Sequence, residues 1–94
     1  MFEGESMELF WRENRIGMRL ILLTDEGEQE VGGIRKTPRG FDAFARTFGY
    51  EPGRAQKDME SLEIARNFVE SFRPWELFAG EVDIEVEPDF RPNQ

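Results

Sequence analysis

The segment Ile16 to Thr24 constrains this chain more than any other. Read as a strand, it places Ile16, Met18, Leu20 and Leu22 on one face and Gly17, Arg19, Ile21 and Leu23 on the other. Large apolar groups on both faces are the pattern of a central strand, flanked on either side and covered above and below. A chain of 94 residues has room for one core, so the remainder must supply both the neighbours and the cover.

The neighbours are legible. Met7, Leu9 and Trp11 alternate with Glu8 and Phe10, and the tetrad Arg12-Glu13-Asn14-Arg15 can turn, since Asn tolerates positive φ. Thr24-Asp25-Glu26-Gly27-Glu28 reads as a hairpin connection. A third strand from Glu28 to Ile34 follows, weakened or bulged at Gly32-Gly33.

Beyond Ile34 the periodicity changes. Phe41, Phe44 and Phe48 recur at i, i+3 and i+7, which predicts a short helix begun near Thr37-Pro38 and stopped at Gly49. A longer helix is predicted from about Asp58 to Phe72. Its buried stripe is Leu62, Ala65, Phe68, Val69 and Phe72, and Arg73-Pro74 ends it. Trp75, Leu77 and Phe78 are expected to cap the core past that break. Glu81 to Glu87 alternates strictly, with Val82, Ile84 and Val86 inward, and predicts a last strand beside the first or the third.

The expected fold is therefore α+β: an antiparallel sheet of about four strands in the order β-β-β-α-α-β, with both helices on one face. Residues 1–6 read as a disordered tail, 7–88 as a single domain and 89–94 as a C-terminal tail.

Composition narrows the chemistry. The chain has no Cys and no His, hence no disulfide, thiolate nucleophile or imidazole base. No metal or cofactor site is expected. The formal net charge of −8 disfavours nucleic acid and anionic membranes as partners, because both would repel the chain at long range. No apolar run approaches a membrane span, and the acidic start Met1-Phe2-Glu3-Gly4-Glu5 is unlike a signal peptide. The expected location is the cytoplasm.

The charge is segregated. Residues 35–57 hold six cations and two carboxylates, while the segments before and after are strongly acidic. Three surfaces follow. The first is an apolar reverse side of the sheet carrying Phe10, Ile21 and Leu23, which awaits either a protein partner or cover by the N-terminal tail or the segment around Phe90. The second is the acidic row Glu81, Asp83, Glu85 and Glu87, a strip for a basic partner. Its members stand about 6.8 Å apart along a strand, too far for adjacent pairs alone to chelate an ion. The third is the loop from Gly32 to Gly40, where Gly32 and Gly33 amides beside Arg35, Lys36 and Arg39 could hold an anion if a helix N-terminus follows. The loop matches neither the dinucleotide fingerprint nor the P-loop.

These features predict a non-catalytic protein–protein interaction module, with a homodimer as its simplest form. The alternative is an anion-, nucleotide- or nucleic-acid-binding module using the loop 32–40. A third reading is a small enzyme restricted to carboxylates and lysine.

Overall fold

A computed structural model describes residues 7–47, 54–80 and 83–92. The architecture is α+β: five antiparallel strands in simple meander order, followed by one helix and a short helical turn. The strands are β1 (Glu8–Glu13), β2 (Gly17–Thr24), β3 (Gly27–Thr37), β4 (Gly40–Ala45) and β5 (Ala55–Met59); the helices are α1 (Leu62–Ser71) and α2 (Glu76–Ala79). The stretch expected as a strand from Ile16 to Thr24 is interior to the sheet, forming β2 from Gly17 onward, with β1 and β3 pairing along its two sides.

Each tight turn has a side-chain cause. The Asn14 carboxamide oxygen accepts from the amides of Ile16 (3.0 Å) and Gly17 (2.8 Å), closing the β1–β2 turn. Thr24 Oγ1 accepts from the Glu26 amide at 3.1 Å, and Gly27 takes φ 118°, a conformation that excludes ordinary side chains. At the β3–β4 turn Thr37 Oγ1 accepts from the Arg39 amide at 3.2 Å.

Two expectations fail between residues 35 and 59. The predicted short helix over Phe41 and Phe44 is strand β4, and Asp58, the expected start of the long helix, lies in strand β5. Phe48 and Gly49 lie outside the described residues. The physical reason is a second reading of the same letters. Phe41, Ala43 and Ala45 alternate with Asp42 and Phe44, and pairing with β3 on one side and β5 on the other gives the backbone partners that a two-turn helix would lack at its ends. Ala43 and Ala45 are small, so α1 lies directly over β4 and brings Ala65 and Val69 into the core. Gly32 serves the same contact from β3: a Cβ there would stand 2.6 Å from Val69 Cγ1.

Helix α1 begins where a cap is available. Ser61, inside the span expected as helix, is instead its N-cap, accepting from the Ile64 amide at 3.1 Å. The helix ends before Arg73-Pro74 as expected, with Arg73 at φ 49°. Trp75 then enters the core. Trp11, fully buried, donates its indole N–H to Glu70 at 2.8 Å, and Arg66 holds the same carboxylate oxygen at 2.8 Å. A buried indole is thus partnered through an ion pair anchored on the helix.

The final segment departs furthest from expectation. Asp83–Glu87 forms no strand ladder; Glu81 and Val82 lie outside the described residues. Ile84 and Val86 do pack on the core. The chain then runs parallel to the outer edge of β1. The Glu87 amide donates to the Leu9 carbonyl (2.9 Å), the Arg91 amide to Trp11 (2.8 Å), and the Glu13 amide to Arg91 (2.8 Å). Pro88 and Pro92 lack the amides that continuous pairing would require. Of residues 89–92, Phe90 packs against the core and Arg91 forms the bridge to Arg12. No helix among the described residues is long and apolar enough to cross a membrane.

Candidate interaction surface

Alternation assigns the two sheet faces. Leu9, Trp11, Met18, Leu20, Leu22, Ile34, Ala43 and Ala45 form the core under α1. The reverse face carries Glu8, Phe10 and Arg12 from β1, Arg19, Ile21 and Leu23 from β2, Gly33 and Arg35 from β3, and Asp42 and Phe44 from β4. No helix covers it among the described residues.

Half of this face is nonetheless closed. Phe10 has 0% exposure and Ile21 5%, so of the two outcomes expected for this side, a partner or cover by the chain itself, these two residues have cover; Leu23 is half-buried. The cover comes from arginines. The Arg91 guanidinium lies 3.7 Å from the Phe10 ring centroid, and Arg12 lies 5.3 Å from it. Arg91 is fixed in place by Glu8 (2.6 Å) and by both oxygens of Glu87 (2.6 and 3.1 Å). Arg12 is fixed by a two-pronged pair with Glu28, at 2.7 and 3.1 Å. Ile21 shares a concavity with both members of that pair. A guanidinium plane stacks on apolar surface while its edge keeps hydrogen bonding, so the chain seals a greasy patch with charged groups. Arg91, next to Phe90 in the chain, supplies one part of this cover and Arg12 of β1 another.

These pairs move titrations in the expected directions. Arg12 holds the Glu28 carboxyl below its ordinary range, chiefly by hydrogen bonding, and Arg91 does the same to Glu87. Both arginines are in turn held more firmly protonated, Arg91 by Glu87 first and then by Glu8.

The other half of the face is open. Gly33 has no side chain, and the Phe44 ring leans over it from β4; a Cβ at Gly33 would stand 2.6 Å from Phe44 Cε1. The missing side chain leaves a groove of about 450 Å³ between the β1–β2 turn and β5. Its apolar rims are Ile16, 59% exposed, and Phe44, 37% exposed. Arg19, Glu30, Arg35, Asp42 and Lys57 surround it. Arg19 reaches Glu30 at 3.5 Å, and Asp42 accepts the Asp58 amide at 3.1 Å. Arg35 and Lys57 make no ion pair among the described residues.

The remaining expected sites fare as follows. Gly32 and Gly33 lie inside β3, paired with β2 on one side and β4 on the other, so their amides are spent in the sheet. No helix follows the loop, and Arg39 faces Asp58 at 3.9 Å. Arg35 and Lys36 project to opposite faces of β3. Gly32, Gly33, Arg35 and Lys36 thus all belong to strand β3, while Arg39 stands in the turn that follows it. In the acidic row, Asp83 and Glu85 are exposed, while Glu87 is occupied by Arg91. Among the described residues no group of three or more carboxylates is close enough to hold a metal ion.

Sequence reasoning missed Ile16, Phe44 and Lys57 as rim residues. The available signal was parity: with 40–45 read as a strand, Phe44 is the one large apolar residue on the outward face, opposite a glycine. No family model, curated protein or solved structure matches the chain.

Proposed function

We propose that this protein is a non-catalytic interaction module whose contact face is the groove between Ile16 and Phe44. One observation carries the reading: two large apolar side chains stand exposed on opposite rims of the same groove, while on the β1 side of that sheet face the chain's own Arg91 and Arg12 lie over Phe10. Burial of a large apolar side chain is worth about 1.5–3 kcal/mol, so two exposed neighbours across a concavity offer a partner a binding increment. The groove chemistry favours binding over catalysis. Its two carboxylates, Glu30 and Asp42, are engaged by Arg19 and by a backbone amide, and no imidazole or thiol exists in the chain to serve as nucleophile or shuttle.

The test is site-specific photo-crosslinking. A photoreactive phenylalanine analogue in place of Phe44 is expected to yield discrete protein adducts in an extract of the source cell. The same group in place of Asn67, exposed on α1, is expected to yield none. Equal labelling at both positions, or no adduct at Phe44, contradicts the reading.

A further inference from the structure

Resting on that reading, we propose that the groove takes a short acidic segment of a partner protein, one in which carboxylates flank an apolar side chain. The argument is charge complementarity at short range. Of the charged groups around the groove, Glu30 is paired with Arg19, while Asp42 accepts the Asp58 amide, keeps its charge and stands opposite Arg35 in the β3–β4 register; Arg35 and Lys57 form no ion pair among the described residues, and the groove as a whole carries more cations than carboxylates. Arg35 and Lys57 stand beside the apolar rims, where a carboxylate adjacent to a buried apolar anchor would meet them. They belong to the stretch 35–57, the one basic part of a chain with net charge −8.

The whole molecule repels an acidic partner at distance, but that repulsion is screened over roughly 8 Å at physiological ionic strength. At contact range the groups lining the groove count most, and there Arg19, Arg35 and Lys57 outnumber Glu30 and Asp42. Its volume of about 450 Å³ suits the bulk of a few side chains and not a folded surface.

The segment lies across the sheet face and does not extend the sheet. Strand β5 has five residues, a register shift against β4, Asp58 at φ 60°, and Lys57 in its centre. Short length, irregular backbone and a lysine are the devices that discourage edge pairing. The partner is accordingly held by side chains: the apolar anchor over Gly33 and Phe44, and the flanking carboxylates toward Arg35 and Lys57.

The experiment is an amide-shift titration of the full chain with a blocked Glu-Glu-Leu-Phe-Glu-Glu peptide. Gln-Gln-Leu-Phe-Gln-Gln and Glu-Glu-Ser-Ser-Glu-Glu serve as controls, together with dodecanoate. Shifts are expected to centre on Ile16, Gly33, Phe44 and Lys57. Removing either the charges or the apolar pair should weaken binding at least about tenfold, which corresponds to 1.4 kcal/mol, and added salt should weaken it further. Arg35→Glu with Lys57→Glu should abolish the shifts, whereas Lys36→Glu, on the opposite face of β3, should not.

Equal binding of the Gln peptide at the same amides overturns the acidic partner and leaves the groove as contact face. Binding of dodecanoate alone assigns a small amphiphile and overturns the peptide. Concentration-dependent shifts at these amides without any peptide assign the groove to a second copy and also overturn it. Shifts elsewhere, or none, with adducts still formed at position 44, overturn this partner chemistry but not the module.

Discussion

The two halves of the reverse sheet face meet the same problem with opposite solutions. On the β1–β2 side, Phe10 and Ile21 are large but buried; Arg91 and Arg12, each fixed by carboxylates, lie over the Phe10 ring, and Ile21 borders the Arg12–Glu28 pair. On the β3–β4 side, Gly33 removes the side chain altogether, and Phe44 only partly refills the space. The first solution yields a closed surface, the second a groove. The sheet edges differ in parallel. The outer edge of β1 is occupied by residues 87–91, held by Arg91 from the reverse face and by Arg66, which donates to the carbonyls of Glu87 (2.7 Å) and Pro88 (3.0 Å) and stacks on Phe90. The edge of β5 carries no further strand among the described residues and is instead irregular and charged. A small domain thus spends its C-terminal chain on one flank and keeps the other available.

The comparison breaks most readily at the two phenylalanines. Phe10→Ala should destabilise the protein by about 3–5 kcal/mol, as for other fully buried aromatics. Phe44→Ala should cost well under half of that, because its ring is partly in water already. Urea denaturation of both variants decides; equal losses would mean that the face is not divided as described. The glycines provide the next contrast. A Cβ on Gly32 would press on Val69 inside the core and on a backbone oxygen 3.1 Å away, so Gly32→Ala should cost about 1–3 kcal/mol through overpacking. Gly33→Ala meets only a ring that can swing outward. It should cost less, while filling the groove and reducing crosslinking at position 44.

Smaller effects are expected at the arginine cover. Arg91→Ala leaves the core under α1 intact, so global stability should fall less than for either Phe10→Ala or Gly32→Ala. Hydrogen exchange at the amides of Glu13, Glu87 and Arg91 should nevertheless accelerate, since these three bonds tie the final segment to β1. Unchanged protection there would show that Arg91 does not hold the segment.

The last prediction concerns pH. The carboxyls of Glu28 and Glu87 are held below their ordinary value of 4.5 by hydrogen bonds from Arg12 and Arg91. A group whose folded value is depressed contributes stability above its unfolded value and loses it as pH falls through the folded value. The cover should therefore be intact at neutral pH and loosen on acidification below about 4.5. Carboxyl carbon shifts followed by NMR should show both groups titrating below that value, and Arg91→Ala should restore Glu87 while leaving Glu28 unchanged.

Much of the fold was legible because its signals are local. The two-faced apolar pattern of Ile16–Leu23, the turn residues at Asn14 and Gly27, and the stop at Arg73-Pro74 each act within a few positions. Residues 40–45 were ambiguous: Phe41 and Phe44 fit a helical stripe and, with Ala43 and Ala45, fit alternation equally well, and only the neighbour β3 chooses between them. Strand β5, Ala55–Met59, has almost no apolar alternation to read; it is a strand because β4 offers an edge. The reverse holds at Asp83–Glu87, the described part of a strictly alternating stretch: it forms no ladder and packs Ile84 and Val86 inward before reaching β1. The placement of Arg91 over Phe10 joins residues from opposite ends of the chain, and no periodicity encodes such a contact. The groove was hidden for the same reason, since it is a missing side chain on β3 framed by residues from β2, β4 and β5.

Relaxation enhancement by a soluble paramagnetic chelate, read at the side chains of Phe10, Ile16, Ile21 and Phe44, tests the division of this face directly. Strong enhancement at Ile16 and Phe44 with protection of Phe10 and Ile21 is the predicted result. Enhancement of Phe10 and Ile21 equal to that at the groove would contradict it.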